Sequence, residues 1–202
     1  MEGKVAYTDA RVKEVFHHWR ELLDRGFFLP AHHRYDWRGS LPFLYREKAG
    51  MLLMGNFLVP QLPEGMKDDI GFFRFPKIKP KLPFYEDAPV DIVLIPRNAS
   101  NKAGAKLLLE FLGRADTQKT WNSEMGMISP NRTAGLGDDP FIRAGAQMLT
   151  DADGIAQFYD RDTPEAMFTP GMEAFVRFLE DPGSLETTLQ ELEAVRKKVF
   201  KR

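Results

Sequence analysis

The sequence predicts an α/β protein whose last third is helical. Three short apolar runs, at residues 51–54, 70–75 and 90–95, have the length and composition of buried strands. The third run is followed by a short loop and by a helix pattern that begins after Ser100, which is the strand-helix unit of an α/β sheet. From Asp139 onward only helix signals occur.

Composition limits the classes of protein to which this chain can belong. Its 202 residues, of which 43% are hydrophobic, suffice to bury a sizeable core in one large domain or two small ones. The 28 Lys and Arg balance 29 Asp and Glu, so no net charge attracts nucleic acid or an acidic membrane. The absence of Cys excludes disulfides, thiolate metal sites and a Cys nucleophile, and it leaves both a reducing cytoplasm and a bacterial envelope open as compartments.

No targeting or membrane segment is predicted. The first residues, MEGKVAYTDARVKEV, contain no apolar signal core, and no uncharged run approaches the roughly 18 residues that a membrane span needs. We therefore expect the chain, as given, to be soluble and to carry no targeting signal.

The first helix is predicted to begin after Thr8 or Asp9 as N-cap and to end at Gly26. The apolar residues between them have the spacing of one helical face: Val12, Val15, Phe16, Trp19, Leu22 and Leu23. Two histidine pairs, at residues 17–18 and 32–33, raise the question of a metal site. Neither pair has the i, i+4 spacing that places two imidazoles on one helical face, so no metal site is predicted.

Trp37 and Phe57 are aromatic candidates for a binding site. Trp37 precedes a second helix, predicted from Ser40 to about Glu47, and it either covers the core or forms a stacking platform for a ligand. Phe57 ends the run KAGMLLMGNF, in which Gly55 is expected to let the chain turn sharply after the first strand. The turn would bring the amide of Asn56 and the ring of Phe57 to one pocket; alternatively, Phe57 packs in the core.

The middle of the chain contains the strand-helix unit. A Pro- and Lys-rich stretch up to Pro89 predicts an extended connection between two bodies. The strand at residues 90–95 is almost wholly apolar, as expected where both faces of a sheet are covered. Ser100 is then the predicted N-cap of a helix, and a further helix is predicted from Asp116 past Trp121.

The last third is predicted to contain helices and no strand. Helix starts, each a cap residue followed by Pro, are predicted at Asp139-Pro140, Thr163-Pro164 and Thr169-Pro170, and Ser184 begins the final helix. Residues 157–162 lie between the first two starts and are predicted to form a loop. This loop combines Tyr159, Asp160 and Arg161, which is either a surface salt-bridge cluster or part of a site.

No residue pattern indicates a particular reaction or a cofactor. Internal repeats, phosphate-binding glycine loops and a Ser-centred nucleophile elbow are all lacking in the sequence. The side-chain groups available for binding are aromatic faces, amides and paired charges. These suit a neutral polyhydroxylated molecule, because sugar rings present apolar C–H faces to aromatics and hydroxyl pairs to Asp, Asn and Arg.

The order of segments carries a family resemblance. YTDARVKEVFHHWRELLDRGFF, KAGMLLMGNF, DDIGFFRFP, PVDIVLIPRNASNKAGAKLLLEFL, DTQKTWNSEMGMISPN and QFYDRDTPEAM together resemble the carboxyl-terminal half of the family 1 extracellular solute-binding proteins. These are sugar receptors of bacterial ABC importers, similar to the maltodextrin-binding type. The resemblance covers nearly all of the chain and implies a type II periplasmic-binding-protein-like fold, in which two α/β lobes close on the ligand.

The resemblance also implies a ligand, partners and a location. It implies a carbohydrate ligand, the permease subunits of an ABC transporter as partners, a periplasmic or extracellular location, and no cofactor or catalysis. Residues 1–66 would belong to the second lobe, residues 67–130 to the crossing and the first lobe, and residues 131–202 to second-lobe helices. The implied ligand contacts are Trp37, Gly55, Asn56, Phe57, Tyr159, Asp160 and Arg161.

The matching segments include neither the secretion signal and lipid-attachment Cys of that family nor the amino-terminal half, which forms most of its first lobe. An incomplete first lobe would expose a sheet edge around residues 70–75 and 90–95, and this predicts a homodimer or strand exchange. Two other functions stay open. One is a glycoside hydrolase that uses two carboxylates among Asp36, Asp160 and Asp162; the other is an interaction module that has lost ligand binding.

Overall fold

The structure, a computed structural model, describes residues 2–201. In that range the helices are α1 (Ala10–Asp24), α2 (Trp37–Tyr45), α3 (Lys102–Gly113), α4 (Ala115–Met125), α5 (Pro140–Asp151), α6 (Tyr159–Asp162), α7 (Glu165–Glu180) and α8 (Leu185–Phe200). The strands are β1 (Tyr85–Asp87) and β2 (Gly154–Ala156), and short 3-10 helices lie at His32–Arg34, Asn56–Gln61, Met66–Asp68 and Pro182–Ser184. None of the helices described is long and apolar enough to cross a lipid bilayer.

The chain divides into two compact units. Unit 1 consists of Met1–Ala49 and Gln157–Arg202, and unit 2 consists of Gly50–Ala156. Unit 1 therefore contains α1, α2 and α6 to α8, whereas unit 2 contains α3 to α5 and both strands. The lobe assignment of residues 1–66, 67–130 and 131–202 stays a prediction.

Unit 1 has an aromatic and aliphatic core. Phe16 of α1 packs edge-on against Phe178 of α7, with 5.0 Å between the ring centroids. Leu185 and Leu189 of α8 complete this cluster, and Met167, Ala174 and Leu192 form a second one beside it. Phe178, Met167 and Leu189 are fully buried, so the helices of unit 1 cover one another's apolar faces.

A buried ion pair ties the start of the chain to α8. Arg196 donates to both carboxylate oxygens of Glu193, at 2.8 and 2.7 Å, and also to the backbone oxygen of Gly3. Glu193 accepts in turn from the backbone N–H of Tyr7 at 3.0 Å. The hydrogen bonds from Arg196, together with that N–H, lower the pKa of Glu193 below its ordinary value.

Unit 2 contains a small parallel sheet. β1 pairs with β2 in the register Tyr85 with Gly154, Glu86 with Ile155 and Asp87 with Ala156. Arg74 joins this sheet to α5, because it donates to Glu86 at 2.8 Å and to the backbone oxygen of Met148 at 2.6 Å.

The predicted helices form, with corrections at their ends. Asp9 is the N-cap of α1 and Asp139 that of α5, and each accepts backbone N–H bonds. The cap of α3 is Asn101 rather than Ser100. The prediction that Thr169-Pro170 begins a helix is wrong, since Pro170 lies inside α7. Residues Met167, Ala174 and Phe178 are buried along one side of α7, and this packing keeps the helix continuous through the proline.

The prediction of three strands is wrong. Residues 51–54, 70–75 and 90–95 are neither helical nor paired with a strand among residues 2–201. Their apolar composition is that of sheet residues, but no partner strand lies beside them in the described part of the chain. The observed β2 and the four-residue α6 also correct the predictions of a strand-free last third and of a loop at residues 157–162.

Replacing Glu193 by Gln tests the buried ion pair. We expect Glu193→Gln to lower the melting temperature by several degrees at pH 7, because Arg196 loses its charged partner. A carboxyl with a lowered folded-state pKa stabilises above its unfolded pKa of about 4.3 and loses that effect as the pH falls through the folded value. The deficit should therefore shrink in thermal melts below about pH 4.

Glu191→Gln is the matched control, because Glu191 lies on the same helix and pairs with Arg177 at the surface. Exposed pairs contribute little, so this variant should melt close to the parent. Equal melting temperatures for both variants would contradict the role given to Glu193.

Candidate functional site

The residues implied as ligand contacts belong to two groups. Trp37, Tyr159, Asp160 and Arg161 lie in unit 1. Gly55, Asn56 and Phe57 lie in unit 2, at the start of its first 3-10 helix.

The hydroxyl of Tyr159 is already hydrogen-bonded within unit 1. It donates to the backbone oxygen of Met167 at 3.3 Å and lies 2.8 Å from the hydroxyl of Tyr7. A carbonyl can only accept, so the single proton of Tyr159 serves Met167, and Tyr7 donates to Tyr159. Burial raises the pKa of both phenols, so both stay protonated at neutral pH.

The ring of Tyr159 is held as firmly as its hydroxyl. It packs edge-on against Phe175, with 5.0 Å between the centroids. Its hydroxyl lies over Gly171 of α7, so closely that any Cβ at residue 171 would collide with it. Tyr159 is half-buried, so its ring is partly accessible to a ligand, whereas its hydroxyl is hydrogen-bonded within the protein.

Asp160 and Arg161 follow Tyr159 on α6 and are both exposed. The guanidinium of Arg161 lies 5.9 Å from the ring centroid of Phe158. The two side chains therefore bring a carboxylate and a guanidinium to the surface next to Tyr159. Those groups suit hydroxyl recognition, and they equally suit a solvated ion cluster.

Trp37 begins α2. The N-cap before it, Asp36, accepts from the backbone N–H of Gly39 at 2.6 Å, and this cap fixes where the helix starts. The guanidinium of Arg38 lies 4.6 Å from the Trp37 ring centroid, in cation–π contact. Trp37 is half-buried, so part of the indole is covered by protein and part remains available to a ligand.

Gly55 is required for a different reason from the one predicted. Its backbone is extended, with φ −76° and ψ 167°, so the expected sharp turn through a glycine-only conformation is wrong. A Cβ at residue 55 would instead lie 2.7 Å from an edge carbon of the Phe57 ring. Gly55 thus makes room for the ring of Phe57, which is half-buried.

Asn56 links three elements of unit 2. Its amide nitrogen donates to the backbone oxygen of Gly126, the residue that ends α4, at 3.2 Å. The same side chain lies beside the buried Gly145 of α5, whose absent Cβ would be 3.7 Å from the Asn56 amide carbon. Asn56 therefore has a packing role in addition to any contact with a ligand.

An open groove between α3 and α4 was not predicted from the sequence. Its volume is about 640 Å³, and its lining consists of Phe111, Asp116, Thr117, Thr120, Trp121, Glu124 and Met125. Trp121 and Met125 are the signal that could have indicated it, because they are two large apolar residues at i, i+4 on an otherwise polar helix. Both are exposed, by 57% and 47%.

Comparison with protein families and curated proteins gives two matches. A family model described as bacterial extracellular solute-binding protein matches residues 4–119. An uncharacterized ABC transporter extracellular-binding protein of Pyrococcus horikoshii is 24% identical over 136 residues, which are 66% of this chain and 29% of that protein.

Comparison with solved structures gives a match along almost the whole chain. The bacterial solute receptor AcbH, described as having an exclusive substrate preference for β-D-galactopyranose, superimposes with a TM-score of 0.85 at 25% identity. The match covers 98% of this chain and 52% of the AcbH chain. The chain therefore spans about half the length of this solved relative and less than a third of the curated one.

Replacing Gly55 by Ala tests the contact between residue 55 and Phe57. The matched control is Gly50→Ala, where an added Cβ would have no atom within 4 Å. The control should gain about 0.4–1 kcal/mol in urea unfolding, because alanine restricts the unfolded chain. Gly55→Ala should lack that gain, since the ring of Phe57 must move. Equal gains would contradict the contact.

Proposed function

Because the chain belongs to the bacterial extracellular solute-binding protein family, we propose that it acts in the solute-binding component of an ABC importer. The family match confirms the resemblance found in the sequence. The structural match confirms the fold class as part of a type II periplasmic-binding-protein-like α/β fold. A periplasmic or extracellular location, and permease subunits as partners, follow as parts of this proposal.

We propose a carbohydrate, and specifically a pyranose, as the solute. One observation carries this choice: 98% of the chain superimposes, at a TM-score of 0.85, on a receptor described as preferring β-D-galactopyranose. An identity of 25% supports a shared ligand class more strongly than it supports an identical ligand. The probe of choice is therefore galactose, with other monosaccharides and oligosaccharides beside it.

The proposed contacts supply the chemistry that a pyranose needs. Trp37 and Phe57 are half-buried aromatic residues, and each can stack on the apolar C–H face of a sugar ring. Asp160 and Arg161 would accept from and donate to sugar hydroxyls. Tyr159 would contribute its ring edge, because its hydroxyl is bonded to Met167 and Tyr7. Gly55 and Asn56 would set the position of Phe57.

We propose that binding occurs without catalysis. Among the carboxylates considered for hydrolysis, Asp36 is engaged as the N-cap of α2, and Asp160 and Asp162 are exposed on α6. Glycoside hydrolysis needs two carboxyl groups on opposite sides of the scissile bond, whereas Asp160 and Asp162 lie on the same short helix. Incubation with the sugar panel should therefore return every sugar unchanged.

Titration calorimetry tests the proposal directly. β-D-Galactopyranose, or another sugar of the panel, should give saturable heat with the parent chain. Phe57→Ala should weaken this binding by roughly two- to tenfold, because a lost ring stack costs on the order of 0.5–1.5 kcal/mol. Its melting temperature should stay close to the parent's, since Phe57 is only half-buried.

Leu58→Ala is the matched control, as Leu58 is half-buried on the same 3-10 helix. It should leave sugar affinity unchanged. A stability loss of about 3–5 kcal/mol in Phe57→Ala, without loss of affinity, would identify Phe57 as a core residue. Absence of heat with every sugar would favour the interaction module.

A further inference from the structure

Helix α6 depends on one side chain for its position. It is four residues long, and an isolated helix of this length is not stable in water. Asp160, Arg161 and Asp162 are exposed, and Tyr159 is the one residue of α6 that is partly buried. The contacts of Tyr159 therefore determine where α6 lies on unit 1.

Two hydroxyl hydrogen bonds and one ring contact hold Tyr159. Its hydroxyl donates to the backbone oxygen of Met167 at 3.3 Å and accepts from the hydroxyl of Tyr7 at 2.8 Å. Bonds between oxygen atoms are usually no longer than about 3.0 Å, so the bond from Tyr7 is the stronger of the two. The ring rests on Phe175 of α7. Tyr7 is thus the better polar partner of Tyr159.

Tyr7 is itself held in place by α8. Its backbone N–H donates to Glu193 at 3.0 Å, and its ring packs against both core clusters of unit 1. Glu193 is held by Arg196, which donates to both carboxylate oxygens and also bonds to the backbone oxygen of Gly3. A continuous series of contacts therefore runs from the buried ion pair of α8 through Tyr7 to Tyr159 on α6.

We propose that Tyr7 is a positioning residue for ligand binding, because its hydroxyl sets the position of Tyr159 and, through the backbone of α6, that of Asp160 and Arg161. Binding groups must be held to within about 0.5 Å of their productive geometry, so a partner that fixes them contributes to affinity without touching the ligand. The effect of Tyr7 on affinity rests on the proposed sugar site, whereas its effect on α6 does not.

Tyr7→Phe tests the proposal in the complete chain. It removes the hydroxyl and keeps both the ring and the backbone N–H that bonds to Glu193. Without ligand, the amides of Arg161 and Asp162, which donate to the backbone oxygen of Phe158, should exchange with solvent roughly two- to tenfold faster. Amides in the middle of α7 and α8 should keep their rates, because the core of unit 1 is retained.

Sugar affinity gives the second readout. In titration calorimetry with β-D-galactopyranose, Tyr7→Phe should weaken binding by roughly two- to tenfold, because one hydrogen bond that holds α6 is lost. The same substitution in the background of Tyr159→Phe should have no further effect, since the hydroxyl to which Tyr7 donates is then absent. A general loss of stability would not depend on the residue at position 159.

Tyr35→Phe is the matched control. Tyr35 also belongs to unit 1, and it is 44% exposed. This variant loses the same hydroxyl group at the surface, so both its amide exchange at residues 161 and 162 and its sugar affinity should equal those of the parent.

Two results would overturn the proposal. One is exchange of the Arg161 and Asp162 amides at the parental rate in Tyr7→Phe. The other is an equal effect of Tyr7→Phe in the parent and in the Tyr159→Phe background. Absence of heat with the parent chain would contradict the sugar site, and amide exchange in the same two backgrounds would still decide the role of Tyr7.

Discussion

The burial of apolar surface is the constraint on which both units depend, since it is the largest favourable term in folding. Unit 1 satisfies it internally: Phe178, Met167 and Leu189 are fully buried between its helices. In unit 2, the apolar segment at residues 90–95 is exposed, and α3 has no buried residue. Unit 1 therefore has a core of its own, whereas unit 2 leaves many large apolar side chains exposed among residues 2–201.

This difference bears on ligand binding, because the proposed contacts are held by different means. Tyr159 is locked by Tyr7, Met167 and Phe175 inside the self-contained unit 1, so its ring is pre-positioned. Phe57 is positioned by Gly55 and by the bond from Asn56 to Gly126, all within unit 2. A contact that is held in place before binding loses less entropy when a ligand binds.

Helix ends were predictable because the signals are local. Asp9 and Asp139 cap α1 and α5 through bonds to backbone N–H groups two or three residues away. The strands were not predictable, because pairing depends on residues distant in sequence. Residues 90–95 are sheet-like in composition yet form no strand among residues 2–201, whereas the observed pairing of Tyr85–Asp87 with Gly154–Ala156 has no strong local signal.

The candidate site was predictable as a set of residue types and not as a geometry. The sequence indicated that residue 55 must be glycine. The structural reason is that the Phe57 ring occupies the space of a Cβ, and backbone preferences do not reveal such a side-chain contact. The hydrogen bond between the hydroxyls of Tyr159 and Tyr7 joins residues 152 positions apart, and no local sequence pattern indicates it. The role of the seven contact residues in binding a ligand stays a prediction.

Nuclear magnetic resonance mapping can show whether this chain binds a sugar through the proposed contacts. Backbone and side-chain resonances would be followed while β-D-galactopyranose is added to the chain. If the chain binds the sugar through the proposed contacts, saturable shifts should concentrate on the indole of Trp37, the amide of Asn56, Phe57 and residues 159–161. Shifts that are absent, or that are confined to other parts of both units, would contradict it.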